Sequence, residues 1–339
     1  MILSGGALLA RAMSRSPATR VAALGAGGAA PASVERSAAE EFPNFMAEAV
    51  NSLLDPSARE AASRYVRVPV TLPSGQVVPT GFLPPNVSEK RDDLGPVVML
   101  PGFDSSGLEF RRLHPRLCAA GVECYAIDLL GWGFTGAVEG VENYSPAAKR
   151  DHLLAFWKDQ LDCRPMTILG ASLGGAAVVD FAVEHPEAVE KVILVDAQCY
   201  AEDAPNPPGW LARIGVAVLK SEPLRGLANQ LSYFDKKTYA TDDALQVGRL
   251  HCLNAGWEDA IIGFMRSGGY SVVSKVASVS QPTLVLWGRN DGIVDADQAQ
   301  QLQRDIKDIS FEWVEECGHV PHLEQPEIAS KAIMRFLEK

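Results

Sequence analysis

Ser172 stands in the stretch TILGASLGG (167–175), where an apolar run meets a lone hydroxyl among small residues. Gly170-Ala171-Ser172-Leu173-Gly174 fits G-x-S-x-G, the pattern of a serine on a sharp strand-to-helix turn. Such a turn exposes the hydroxyl at a helix N-terminus, whose free amides favour negative charge. The chemistry on offer is nucleophilic attack on a carbonyl, and for that a serine needs a base to take its proton. The chain has six histidines: His114, His152, His185, His251, His319 and His322. Two lie in ECGHVPHLEQP, after the last strand-like run and before the last helix-like one. His319 follows Gly318 directly at the strand end and is favoured as the base. His322 sits a turn further on, where packing or a loop-fixing hydrogen bond is its plainer role.

An imidazole base needs an acid to hold its tautomer and stabilise its charged form. Asp291 in LVLWGRNDGIVD lies just past a strand-like run, with Gly288 and Gly292 giving its loop freedom to bend. Asp295 and Asp297 share that loop but lead into the next helix. Asp196, at the end of VILVDA, is the alternative, and a structural carboxylate is the plain reading of each.

These residues need a frame. PVVML, ECYAIDLL, MTILG, VEKVILVDA and PTLVLWG read as strands rich in Val, Ile and Leu, and ISFEWVEE as a further strand with partial alternation. Helix-like segments fall near 108–119, 147–161, 173–184, 297–306 and 324–337. This alternation implies an α/β fold with a mostly parallel sheet covered on both faces. YVRVPVTL and QVVPTGFL flank Pro73-Ser74-Gly75 and read as a hairpin. Phe42, Met46, Val50 and Leu53 share a helical face, either of a helix packed on the body or of the end of a processed region. Between Tyr200 and about Ser280 no convincing buried strand appears. Asn206-Pro207-Pro208-Gly209 opens this interval, and Trp210, Ile214 and Val218 then share a helical face. It reads as a helical insertion, either decoration or a lid. The expected division is a leader over 1–45, a core over 60–199 and 281–339, and a helical cap over 200–280.

The order Ser172, Asp291, His319 is that of α/β-hydrolases. Over about residues 60–339 the chain resembles an α/β-hydrolase fold protein. The resemblance rests on GASLGG, WGRND, GHVPHLEQP and on DLLGWGFTG (128–136), which looks like the family's D-x-x-G-x-G turn. It implies an oxyanion hole made by the backbone amides of Leu173, the residue after the nucleophile, and of Phe103 in LPGFDSSG. Many relatives have His-Gly where this chain has Pro101-Gly102, so the histidine's bracing of that loop is lost. Asp104 beside the hole is expected to point away and bond its own loop through Ser105 or Ser106. Relatives that open epoxides or remove halide need aspartate at position 172, so acyl transfer to water is the expected reaction. The expected substrate is a small, apolar carboxylic ester, with no metal and no organic cofactor. A carbon–carbon bond hydrolase of the same fold is one alternative, since WGRND resembles that branch. A hydrolase-like small-molecule receptor is another. Trp210, Ile214, Trp257, Phe264 and Met265 are candidates to meet the substrate, or else to form the lid's packing face.

Composition narrows the partners. The net charge of −11 disfavours nucleic acid, and no apolar run approaches the ~20 residues of a membrane span. The first 34 residues carry Arg11, Arg15 and Arg20, many Ala and Ser, and no acid. That fits an organellar transit peptide, plastid before mitochondrion, with a plain cytoplasmic tail as the alternative. The six cysteines form no C-x-x-C pair and are expected to be buried free thiols in a reducing compartment.

Overall fold

The Val/Ile/Leu runs assemble into one eight-stranded sheet in a computed structural model that describes residues 42–201 and 209–339. The strands are β1 (Val66–Thr71), β2 (Val77–Leu83), β3 (Val97–Leu100), β4 (Cys124–Ile127), β5 (Met166–Ala171), β6 (Val189–Val195), β7 (Thr283–Gly288) and β8 (Ile309–Val314), in spatial order β1-β2-β4-β3-β5-β6-β7-β8. The hairpin β1–β2 is antiparallel, as is the β2–β4 pair, and β3 to β8 run parallel. This is the fold that the sequence pattern implied. The leader (1–45) falls almost wholly outside the described residues, as does Asn206-Pro207-Pro208.

Alternation of side chains along each strand builds two cores. Val98, Leu100, Ile168, Val192, Leu194, Val285 and Trp287 face one core, with α3 (Pro146–Leu161) and α4 (Leu173–Glu184). Val97, Met99, Leu169, Ile193, Val195, Leu284 and Leu286 face the other, with α1 (Pro56–Ser63), α2 (His114–Ala119) and α13 (Pro326–Leu337). All these strand residues are buried, each worth roughly 1.5–3 kcal/mol if fully removed from water. Strands buried on both faces explain why the sequence shows runs instead of polar alternation.

Three expectations change in detail. The stretch after Phe42 forms only a short 3-10 turn at Glu48–Ser52, yet Met46, Val50 and Leu53 are buried against the second core. Pro56 then opens α1, a helix the sequence pattern did not reveal, capped by Asp55. The helix expected over 108–119 splits into a 3-10 turn at Gly107–Phe110 and α2, because Pro115 lacks the N–H a continuing helix would need. The cysteine expectation also needs correction: all six are free, but Cys163 is exposed just past the left-handed end of α3.

Between β6 and β7 the described residues contain only helices and turns. They are α5 (Gly209–Lys220), α6 (Glu222–Ser232), α7 (Lys236–Tyr239), α8 (Asp242–Arg249), α9 (Trp257–Arg266) and α10 (Val273–Val276). After β7 come α11 (Ala296–Asp305) and, past β8, α12 (Pro321–Glu324). No helix among the described residues is long and apolar enough to cross a membrane.

Candidate active site

Ser172 sits between β5 and α4 with φ 51° and ψ −123°, a region that costs a side-chain-bearing residue about 1–3 kcal/mol. The neighbours hold it there. Its N–H donates to Val195 O at 2.9 Å, and its carbonyl accepts from Gly175 N and Gln198 N. A Cβ at Gly170 would collide with the Gly174 carbonyl, and one at Gly174 with the carbonyls of Leu100 and Pro101. The small residues around the serine are therefore what lets strand, turn and helix close on it.

His319 follows β8 and meets the loop after β7. Its Nδ1 donates to Asp291 Oδ2 at 2.8 Å. Asp291 Oδ1 accepts from the amides of Ile293 and Val294 at 2.6 and 3.0 Å, so the carboxylate is aimed by its own loop. The two loops touch where a Cβ on Gly288 would overlap the Gly318 carbonyl. Glu324 completes the support: it accepts from Gly318 N, Phe234 N and Asp235 N, tying the histidine loop to the segment after α6. Burial alone would lower the His319 pKa. The charge and hydrogen bond of Asp291, with a contribution from Glu109, outweigh it and raise the pKa above 6.5. A base must be neutral at Nε2 to accept a proton. The expected pH profile of kcat/KM therefore falls on the acid side with a midpoint above 6.5. A kcat/KM that stays flat as the pH falls through that range would show that another group acts as the base.

The loop after β3 carries the candidate oxyanion donors. No hydrogen bond among the described residues uses the N–H of Phe103 or of Leu173. The brace that Pro101 cannot give is supplied by a residue the sequence reading missed. Glu109 Oε2 accepts from Gly102 N at 3.0 Å, and its Oε1 lies 3.0 Å from His322 Nε2. His322 is fully buried against Phe110, a close approach to Glu109 and not an aligned hydrogen bond. Asp128, first residue of DLLGWGFTG, joins the same loop system: its carboxylate accepts from Gly107 N and Phe134 N, both at 2.7 Å.

Asp104 departs from expectation. The partners of its carboxylate are not in its own loop. They are Arg225 on α6, His251 Nε2 at 3.0 Å and Trp257 Nε1 at 2.7 Å on α9. Burial would raise the Asp104 pKa, and Arg225 with His251 and Trp257 brings it below the usual range instead. A buried carboxylate beside an oxyanion site demands a cation, and that demand is the one signal in the sequence pointing to Arg225.

Ser172 and His319 line one cavity of about 300 Å³. Its remaining wall includes Phe103, Leu219, Leu224, Ile293, Val320 and Leu323. Four of the five residues proposed from the sequence to meet substrate do not line this cavity. Ile214 is 53% exposed on the outer face of α5, Trp257 is buried on Asp104, and Phe264 is buried among Phe103, Trp132 and Tyr270. Met265 is packed against the first core, and the Trp210 side chain lies outside the described residues. Helical periodicity gives the apolar stripe of a helix but not which side of the insertion faces the sheet. It therefore does not mark Leu219 and Leu224 as cavity-facing.

The chain is similar to known proteins over most of its length. The Hydrolase_4 family model, described as serine aminopeptidase, S33, matches residues 92–326. The alpha/beta hydrolase domain-containing protein VTE7 of Arabidopsis thaliana is 40% identical over 301 residues, 87% of this chain and 90% of the relative. A 2-hydroxy-6-oxononadienedioate/2-hydroxy-6-oxononatrienedioate hydrolase of Cupriavidus pinatubonensis is 27% identical over 252 residues, 71% of this chain and 86% of its own length. Among solved structures, a thermophilic esterase from Thermogutta terrifontis superposes with TM-score 0.65 at 22% identity, covering 80% of this chain and 98% of that one.

Proposed function

The chain belongs to the α/β-hydrolase family, and on that premise we propose that it is a serine hydrolase that cleaves a carboxylic ester of a small, apolar substrate. The observation that carries this reading is the pairing of His319 with Asp291 at 2.8 Å on the wall of the cavity that Ser172 also lines. Because Nδ1–H is committed to Asp291, Nε2 is left to take the Ser172 proton. Ser172 Oγ attacks the carbonyl carbon, and His319 becomes an imidazolium beside the Asp291 carboxylate. The negative oxygen of the tetrahedral intermediate is met by the Phe103 and Leu173 amides. His319 then returns its proton to the leaving alkoxide. Water repeats the sequence on the acyl-enzyme and frees Ser172. Asp104 does not oppose the oxyanion, since Arg225 neutralises it. No step calls for a metal or organic cofactor.

The helices from α5 to α10 act in this reading as a cap, since Leu219, Leu224, Arg225 and Val247 close the cavity opposite Ser172. The aliphatic wall and the volume, at the lower end for small-ligand pockets, favour short to medium acyl chains. A panel of p-nitrophenyl esters tests this: multiple turnovers are expected, with butanoyl and hexanoyl esters ahead of hexadecanoyl by at least about tenfold. A carbon–carbon reading is favoured by the Cupriavidus relative, so a vinylogous 1,5-diketone belongs in the same panel. Faster turnover of the diketone would replace the ester assignment. Binding without repeated turnover of either class would point to a receptor.

The arginine-bearing, acid-free leader and the likeness to a plant protein support a plastid address for the mature enzyme. The burial of Met46, Val50 and Leu53 supports processing upstream of Phe42. An intact Met1 on protein purified from plastids would contradict it.

A further inference from the structure

We propose that Asp196 is a second, latent triad carboxyl: protonated, it holds Asp291 in place, and it takes over the orientation of His319 when Asp291 cannot. This inference rests on the serine-hydrolase reading above. β6 and β7 are neighbours, with Val195 opposite Leu286, so the loops leaving them stand side by side. Asp196 is the first residue past β6, with φ 43°, and its N–H donates to Leu286 O at 3.0 Å. Its Oδ1 accepts from Gly288 N at 2.9 Å, at the root of the Asp291 loop. One carboxylate oxygen from each aspartate and one ring nitrogen of His319 lie within 4.8 Å of one another.

The chemistry of this contact is that of two carboxyls sharing a proton. Asp196 Oδ2 is buried and accepts no hydrogen bond from any described residue. A carboxylate would be met only by the Gly288 N–H at its other oxygen, whereas a carboxylic acid becomes a donor to Asp291. The surroundings agree. Asp291, Glu324 and the Cys317 thiol all face Asp196, and His319 is the one basic group in the cluster. Burial first, then the charge of Asp291, raise the Asp196 pKa well above the usual carboxylate range, against the pull of Gly288 N–H. Asp291 accepts two backbone amides and the imidazole, so the negative charge resides there. Removing that charge takes away the largest charge effect holding Asp196 protonated, while burial and Glu324 still act on it, so its ionisation moves down in pH. An ionised Asp196, with an oxygen within 4.8 Å of a His319 ring nitrogen, then reaches the ring by a small side-chain shift.

The test is a double-mutant cycle on kcat/KM and its pH profile, using whichever p-nitrophenyl ester turns over best. Asp196→Asn is expected to cost only about threefold, because the amide still donates to Asp291. Asp291→Asn is expected to cost about 10²-fold, short of the ~10⁴-fold that losing a triad acid can cost. Its rate should rise with pH over the range where Asp196 ionises, a readout that a packing role would not move. Adding Asp196→Asn to Asp291→Asn should remove the rest, at least about 10²-fold more. If the double variant equals Asp291→Asn, or if Asp196→Asn alone costs as much as Asp291→Asn, the inference is overturned. Should Asp291→Asn fold poorly, infrared spectroscopy of the intact protein decides. The carbonyl stretch of a buried carboxylic acid should be present in the wild type and lost in Asp196→Asn; an unchanged band refutes it. Ser172→Ala is assayed alongside. Retained turnover there sinks both the serine-hydrolase reading and this inference, whereas loss there with a flat Asp196 cycle sinks the inference alone.

Discussion

Ser172→Ala should lose fluorophosphonate labelling and about 10⁵–10⁶ of ester turnover while remaining folded. The loss is large because the hydroxyl is the atom that becomes acylated, and no neighbouring group can replace it at the end of β5. The fold should persist because the substitution removes one atom and keeps a Cβ. Alanine carries the same strain at φ 51° as serine does, and the backbone bonds to Val195, Gly175 and Gln198 do not involve the side chain. The 3.2 Å gap between the Ser172 Cβ and a Cβ built on Gly102 is likewise untouched. Thermal denaturation within a few degrees of wild type would separate lost chemistry from lost structure. Labelling that survives in folded Ser172→Ala would remove serine catalysis from this site.

His319→Ala and His322→Ala should differ sharply, although three positions separate them. Without His319 the serine keeps its proton, and the expected cost is on the order of 10⁴-fold or more. The oxyanion donors and the cavity would still supply a residual rate, so turnover need not reach zero. His322 touches neither Ser172 nor Asp291. It packs on Phe110 and lies against Glu109, which holds Gly102 N–H next to the Phe103 donor. Its removal loosens the oxyanion loop, with an expected cost of about tenfold; even a 1 Å displacement costs ~10²-fold. His322→Ala also leaves a hole in the core, so circular dichroism must precede the comparison of rates. If His322→Ala were the more damaging at equal foldedness, the base would be His322, and Asp291 would lose its role as partner.

The parts of this molecule legible in its sequence are those imposed by local backbone physics. Gly170 and Gly174 announce the elbow because any side chain there meets a carbonyl. His319 and Asp291 were legible because each lies in the loop that follows a strand, and parallel strands deliver their ends to one edge. The two-sided burial of β3 and β7 likewise reads from their runs of Val, Leu and other apolar residues. What was not legible depends on contacts across long stretches of chain. Asp104 is held by residues 121, 147 and 153 positions away. Glu109 bonds Gly102 from inside the loop, but nothing in their spacing marks the pair. In the insertion, periodicity identified amphipathic helices and could not say that Leu219 and Leu224, and not Ile214, face the cavity.

The central claim is that Ser172 is the nucleophile that His319 and Asp291 activate. Peptide mapping by mass spectrometry tests it most directly, after the native protein has reacted to completion with a fluorophosphonate and residual ester turnover has been measured on the same sample. The account requires one adduct, on the peptide containing Ser172, with turnover lost in proportion to its formation. An adduct on a different residue, or full turnover with Ser172 modified, would contradict it.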